Sequence, residues 1–378
     1  MDYIPSGKRY TPTEVLRMIR TRDAERWKHE QEKQMRGLFH AAAVRVPAYK
    51  DFLHKHHVNP SKITTPAHFT DIPVTNKDNY LRQYPLAALC WDGTLERPIV
   101  FSATSGSTGK PFYFPHDSEL EWQYSILVEL FLENGEREGR EGPTLVLITF
   151  GMGVWIGGLF TYQAFVMASE RGKNISILTP GVNKGEILHA LRDLAPNFKQ
   201  TIVVGYPPFV KDVLDDALLA GIPLRELNIR LLFAAEAFTE KFRDHIMHMT
   251  GIENAYLDTL NIYGTADIGA MAYETPTSIF LRRAALENEI FFHALFGPVE
   301  KIPTLAQYNP LFTNFEAHNG EIMLTGDSTL PLVRYAVGDH GGVATYDDVA
   351  RLAMSHDLDI STQTAEQNVP LYQLPFVY

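Results

Sequence analysis

The chain has 378 residues, 45% of them apolar and 21% charged, with a formal net charge of −11 and a pI near 5.7. That describes an ordinary globular protein of about two domains or one large α/β unit, and the acidic balance argues against a nucleic-acid surface, which needs a basic face. Cys90 is the only cysteine, which excludes an internal disulfide and a zinc site of several thiolates; no apolar run reaches membrane-spanning length and residues 1–8 lack a signal-peptide core, so a cytoplasmic protein without membrane partners is the simplest reading.

Thr11-Pro12-Thr13-Glu14 predicts a helix start, with a Thr cap, Pro in the first turn and Glu closing a capping box. The helix is expected to run to about Val44, with Met35, Leu38, Phe39 and Ala42 at helical spacing, and Val46-Pro47 should end it. His54, His56 and His57 read as a solvated helix end in preference to a metal cluster. Residues 60–90, punctuated by Pro60, Pro66, Pro73 and Pro85, look irregular and contain the segment Ile72-Pro73-Val74-Thr75-Asn76-Lys77-Asp78-Asn79-Tyr80.

An extended apolar lead-in, Ile99-Val100-Phe101, then meets Ser102-Ala103-Thr104-Ser105-Gly106-Ser107-Thr108-Gly109-Lys110-Pro111. Glycines let successive N–H groups converge, and hydroxyls add donors without bulk, so this loop is built to hold an anion, most naturally a polyphosphate. It is not a Walker A loop, which needs Gly where Thr104 stands and Ser or Thr where Pro111 stands.

Ser118 and Glu121 read as a second capping box, opening a helix with Leu120, Tyr124, Leu127 and Phe131 on one face. Strands are predicted at 145–150, 175–178, 201–204 and 230–233, and helices at 157–170, after Asn183, at 209–219 and at 239–249. This alternation implies parallel strands covered on both faces. Regular signals fade from about 276 to 320. In such sheets ligands bind beyond the carboxyl ends of strands, which singles out the loops after 150, 204, 234 and 263. Phe150, Trp155, Phe160, Tyr162 and Phe165 cluster after the first core strand and Tyr206-Pro207-Pro208 follows a later one. Phe150, Trp155, Tyr206 and Pro207 are therefore candidate walls of a pocket for a planar acid, although core packing accounts for aromatics of this kind equally well.

Three more segments carry chemistry. Phe233-Ala234-Ala235-Glu236-Ala237-Phe238 ends a strand and enters a helix; Leu257-Asp258-Thr259-Leu260-Asn261-Ile262-Tyr263-Gly264-Thr265-Ala266-Asp267 and Leu330-Pro331-Leu332-Val333-Arg334-Tyr335-Ala336-Val337-Gly338-Asp339 each end on an acid. Together with the hydroxyl-rich loop, and in the same order and at similar separations, these resemble the signatures of the adenylate-forming superfamily, the acyl-CoA synthetases and their relatives. The match covers about 60–345. The 72–80 segment and the Arg-Tyr-x-x-Gly-Asp pattern at 334–339 are most similar to the phenylacetate-CoA ligase branch, and the proteins that adenylate aryl acids in phenazine antibiotic biosynthesis are also similar in size.

The resemblance implies an α/β fold, the superfamily's large N-terminal domain, in which 96–345 form the adenylation core, 1–95 a helical and irregular segment packed on it, and 346–378 a truncated extension. It implies ATP and magnesium as cofactors, with Thr104, Ser105, Thr108 and Lys110 stabilising phosphate and Gly106, Ser107 and Gly109 cradling it. Ala235 and Glu236 would lie along adenine, Tyr263 and Gly264 would pack on it, Asp339 would accept from the ribose hydroxyls, and Arg334 would steady its loop or face the phosphates. Asp267 would hold the metal. This chain departs from the pattern in having Ala266 where Thr is usual and Asp267, of shorter reach, where Glu is usual. The implied activity is activation of a carboxylic acid, aryl by the pocket residues, to an acyl adenylate with release of pyrophosphate, followed by transfer to coenzyme A or another thiol. Two other readings stay open: a nucleotide or acyl-adenylate binding module without full catalysis, and an acyl-protein synthetase feeding a reductase. After Asp339 only residues 340–378 follow, and none is expected to form the hinge that leads to the small mobile C-terminal domain of family members, whether this is a fragment or a protein that lacks that domain.

Overall fold

The computed structural model describes residues 3–96, 99–104, 110–153, 156–299 and 302–378. The chain opens with the helices α1 (Ser6–Arg9), α2 (Pro12–Thr21), α3 (Ala24–Arg45) and α4 (Pro47–Lys55). The capping box expected at Thr11 is formed: its hydroxyl accepts from Glu14 N, and the Glu14 carboxylate accepts from Thr11 N at 2.8 Å. The single helix expected from 11 to about 44 is instead two, because Asp23 takes extended dihedrals and caps α3, accepting from Arg26 N at 2.9 Å. Pro47 ends α3 as expected but also opens α4, in a first turn that needs no N–H from it.

After α5 (Leu86–Leu89), the strands β1 (Val100–Ala103) and β2 (Tyr113–His116) make an antiparallel pair. The predicted alternation follows as α6 (Ser118–Asn134), β3 (Thr144–Ile148), α7 (Ile156–Glu170), β4 (Ile175–Leu178), α8 (Lys184–His189), β5 (Gln200–Gly205), α9 (Pro207–Leu219), β6 (Ile229–Ala234), α10 (Glu240–Thr250), α11 (Ala255–Asp258), β7 (Thr259–Thr265) and β8 (Gly269–Tyr273). The box expected at Ser118 is not made; Asp117 caps α6, accepting from Glu119 N at 3.1 Å.

The stretch expected to be irregular folds into α12 (Pro276–Glu287), α13 (Glu289–Phe296), β9 (Ala306–Gln307) and β10 (Thr313–His318). Its first helix is closed by a capping box that uses Ser278 in place of the usual Glu or Gln, and the second, capped by Asn288, has Phe291 at that position, so the usual sequence signature is missing. The remainder is β11 (Glu321–Gly326), β12 (Leu332–His340), β13 (Val343–Ala344), α14 (Tyr346–Met354), α15 (Ile360–Glu366) and β14 (Phe376–Val377).

Among the described residues these strands form the β1–β2 pair, a sheet of β10–β11–β12, and a main sheet in the order β13-β14-β9-β8-β7-β6-β5-β3-β4. The main sheet is parallel from β4 to β7, and β8 runs against β7. The segment 346–378, expected as an extension, supplies β14, which is bonded on one side to β13 and on the other to β9. Alternate side chains enter opposite cores, as the period of a strand requires. Val146, Ile148, Ile202, Val204 and Leu232 pack with α6 and α7, while Leu145, Leu147, Val203, Leu231 and Phe233 pack with α8, α9 and α10. With both faces covered, the carboxyl ends of β3, β5, β6 and β7 are left as the open edge.

Candidate active site at the strand ends

The 72–80 segment is tied to β12 by backbone bonds: Thr75 N donates to Arg334 O at 3.0 Å and Ala336 N to Thr75 O at 2.8 Å. This brings the chain to Lys77, whose Nζ lies 3.3 Å from Asp267 Oδ2. Tyr335, one residue beyond Arg334, donates its hydroxyl to the same oxygen at 2.7 Å. Asp267 is 4% exposed, so its charge is held where solvent screening is weak, and burial beside that carboxylate pushes the Tyr335 phenol far up. Lys77 is the cation that the sequence motifs did not single out.

Arg334 points elsewhere. It takes a left-handed φ of 45°, is buried, and donates to Ile72 O at 2.5 Å and Thr70 O at 3.2 Å while its Nε faces Glu316 at 3.3 Å. It steadies the segment that carries Lys77.

Of the hydroxyl-rich loop, Thr104 and Lys110 are described, whereas Ser105, Gly106, Ser107, Thr108 and Gly109 lie outside the described residues. The loop is closed at its base, where Thr104 N donates to Phe112 O at 3.1 Å and Phe112 N to Thr104 Oγ1 at 3.0 Å. Lys110 is exposed. The strand leading in is bound to the second motif: Ser102 Oγ donates to Ala266 O at 2.8 Å and meets His116 Nε2 at 2.5 Å. Because the hydroxyl proton is given to Ala266, Nε2 carries the proton toward Ser102, and Nδ1, buried without a partner among the described residues, is bare. Burial pushes His116 down to about 4. Its folded value lies below the unfolded one, so its contribution to stability is full above pH about 6.5 and is lost as pH falls through about 4, a change on the order of 3 kcal/mol. Urea unfolding at pH 7 and pH 4 should show that drop shrinking in His116→Gln. Asp327, whose carboxyl burial pushes up to about 7, titrates in the opposite sense in both proteins and leaves the difference to His116.

Beyond β6 and β7 lies a cavity of about 490 Å³ walled by Ala235, Glu236, Tyr263, Gly264 and Asp339, together with Asn261 and Thr304. Ala235 holds a φ of 76°, which turns the chain at the end of β6. Asn261 Nδ2 donates to Glu236 O at 3.1 Å and keeps that turn in place, while Asn261 N donates to Glu274, itself paired with the buried Arg243 at 2.7 Å. Asn261 Oδ1 and Thr304 Oγ1 are buried without partners among the described residues, an acceptor and a hydroxyl left for a ligand. Tyr263 stacks on Phe315 with centroids 6.1 Å apart and donates its hydroxyl to Asp339 Oδ2 at 2.6 Å. Gly264 has no room for a side chain, since a Cβ would sit 2.7 Å from Gly269 O.

A second cavity, of about 390 Å³, shares Ala235, Gly264 and Thr265 with the first and reaches Lys77, Thr104 and Asp267. Its walls are Phe150, Ile156, Phe160, Ala234 and Ala270, with Tyr124 and Thr161. Phe150, a candidate from the sequence, is one of these lining residues. Trp155 lies outside the described residues. Tyr206 and Pro207 do not line this cavity: Pro207 is buried in the first turn of α9, and Tyr206 donates to Glu236 Oε2 at 3.2 Å. Tyr124 and Thr161 were missed because they sit on helices, where sequence reads them as core.

No protein-family model matches the chain. A phenylacetate-coenzyme A ligase from Thermus thermophilus is 21% identical over 251 residues, 66% of this chain and 52% of that protein. Among solved structures, 2-hydroxyisobutyryl-CoA ligase in complex with 2-HIB-AMP and CoA in the thioesterification state superposes over 89% of this chain and 67% of its own, with a TM-score of 0.62 and 16% identity. An open conformation of the same ligase gives 0.59 over 83% of this chain and 64% of its own, again at 16% identity. The structural likeness establishes the fold, and the chain spans about half the length of the phenylacetate-coenzyme A ligase it matches.

Proposed function

We propose that this chain, similar in sequence to a phenylacetate-coenzyme A ligase and sharing its fold with 2-hydroxyisobutyryl-CoA ligase, uses ATP to activate a small carboxylic acid. A substrate carboxylate oxygen attacks the α-phosphorus of ATP, the bond to the β-phosphate oxygen breaks, and pyrophosphate leaves with the electron pair. The carboxylate is ionised at neutral pH, so no general base is required. The protein's task is to align nucleophile and phosphate and to meet the charge.

One observation carries this reading above the others. Tyr263 and Asp339, 76 residues apart in sequence, are hydrogen-bonded on the wall of one cavity, and that cavity shares Ala235, Ile262, Gly264 and Thr265 with another lined by Thr104, Asp267 and Lys77. A nucleoside placed along Tyr263 and Ala235 has Asp339 for its ribose, and the unpartnered Asn261 Oδ1 suits the amino group of adenine. Lys77 supplies the cation for the incoming carboxylate or the α-phosphate. An acyl group then occupies the apolar cavity, whose aromatic walls and volume near the lower end of the roughly 300–1,000 Å³ usual for small ligands suit an aryl acid.

A magnesium ion of the usual kind is bound by one or two carboxylates together with the substrate's phosphates. Among the described residues no group of three or more His, Cys, Asp and Glu side chains forms a metal cage. Asp267 fits as the single carboxylate, a buried anion already facing a cation. When bound, the ion would neutralise phosphate charge. Transfer of the acyl group to coenzyme A, with thiol attack on the acyl carbonyl and loss of AMP, is carried over from the named activities of the relatives alone.

The test is ATP–pyrophosphate exchange screened across carboxylic acids. Exchange that depends on one class of acid is expected. ATP binding without exchange for any acid would leave a nucleotide-binding module and overturn the enzyme.

A further inference from the structure

Behind the aromatic walls of the acyl cavity, Tyr124 on α6 and Thr161 on α7 are hydrogen-bonded hydroxyl to hydroxyl at 2.9 Å. Both are buried, 7% and 0% exposed, whereas the Lys77 side chain at the phosphate side is 34% exposed. The cavity lining therefore combines a charged side chain that is partly exposed, apolar aromatic walls and a buried pair of hydroxyls. Two hydroxyls bonded to each other use one of their two protons. The other, with the spare lone pairs, has no further partner among the described residues. Burial pushes the Tyr124 phenol up to about 12, so it stays neutral and able to donate. An apolar side chain at either place would pack between α6 and α7 without this cost, since a buried hydroxyl is stabilising only when its hydrogen bonds are made.

We propose that the Tyr124–Thr161 pair is a specificity determinant that receives a hydrogen-bonding substituent, a hydroxyl or amino group, on the end of the acid remote from its carboxylate. The inference rests on the adenylation reading. A polar acid bonds the pair at its far end while its carboxylate stays near Lys77 and the α-phosphate. The unsubstituted analogue leaves the pair as it is and gains nothing from it. A site built to bond a substrate hydroxyl discriminates against the analogue lacking it far more strongly than an apolar pocket discriminates by size.

The experiment compares exchange rates on the full chain for matched pairs: 4-hydroxybenzoate with benzoate, 4-hydroxyphenylacetate with phenylacetate, and the 3-hydroxy isomer of each. In at least one pair the hydroxylated acid is expected to be preferred by about tenfold or more, the value of one well-made hydrogen bond. Tyr124→Phe and Thr161→Val should each bring that ratio toward one, and Thr161→Ser, which keeps a hydroxyl, should retain it. A ratio unchanged in both variants, or a wild-type preference for the unsubstituted member of every pair, would overturn this inference and leave adenylation standing. No exchange with any acid would overturn both.

Discussion

Replacing Asp267 with Asn should lower acid-dependent exchange by about 10²–10³-fold, the loss seen when one fixed electrostatic group at a developing charge is removed. The substitution keeps shape and keeps an oxygen to accept from Tyr335, whose bond to Asp267 is 2.7 Å, so the fold should survive. What disappears is the anion that faces Lys77 at 3.3 Å and that would share in holding the metal. An uncompensated ammonium would remain beside the phosphates. The wild-type dependence of rate on magnesium concentration should therefore move to higher concentration in the variant. Thermal unfolding within a few degrees of wild type would separate this loss from misfolding. A rate and a magnesium dependence both unaltered in the variant would remove Asp267 from the site.

Asp339→Ala should weaken ATP binding by about 10–100-fold, since hydrogen bonds to a charged group contribute about 1.5–3 kcal/mol and 1.4 kcal/mol is a factor of ten. Asp339 is exposed at the end of β12 and bonds Tyr263 at 2.6 Å, so its loss should cost little stability. The effect divides: part is the missing acceptor for a sugar, part is a Tyr263 ring no longer held in place. Tyr263→Phe removes the tether and keeps the ring and the carboxylate, so it should weaken binding less than Asp339→Ala. Calorimetric titration with ATP, and with 2′,3′-dideoxy-ATP as the analogue lacking both hydroxyls, reads the difference. If Asp339→Ala weakened ATP and the dideoxy analogue equally, the ribose would not be its partner.

The alternation of short apolar strands and amphipathic helices between 144 and 250 was legible because each element is local, its period set by which face is buried. Where the cap was a common one, as at Thr11 or Asn183, helix starts were legible too. The two helices between 276 and 296 were not, although Thr275 and Asn288 cap them, since Ser278 and Phe291 stand three residues on, where Thr11 and Asn183 are followed by Glu. β9, β13 and β14 are two residues each and exist only because partners reach them from far along the chain. No local period announces such strands.

The candidate site divides the same way. Sequence alone supplied the chemical types: a hydroxyl and glycine loop for anions, a tyrosine at a strand end, and two acids with places in a known order. Tertiary structure decided their partners. It set Lys77 against Asp267, tied Arg334 to Ile72 and Thr70, joined Tyr263 to Asp339, and put Tyr124 and Thr161 on the wall of a cavity. The reason is physical: a residue's type fixes what it can donate, accept or carry, and that is written in the chain. Which group it meets depends on where folding buries it, and contacts across 37 to 264 residues of sequence leave no trace in local pattern.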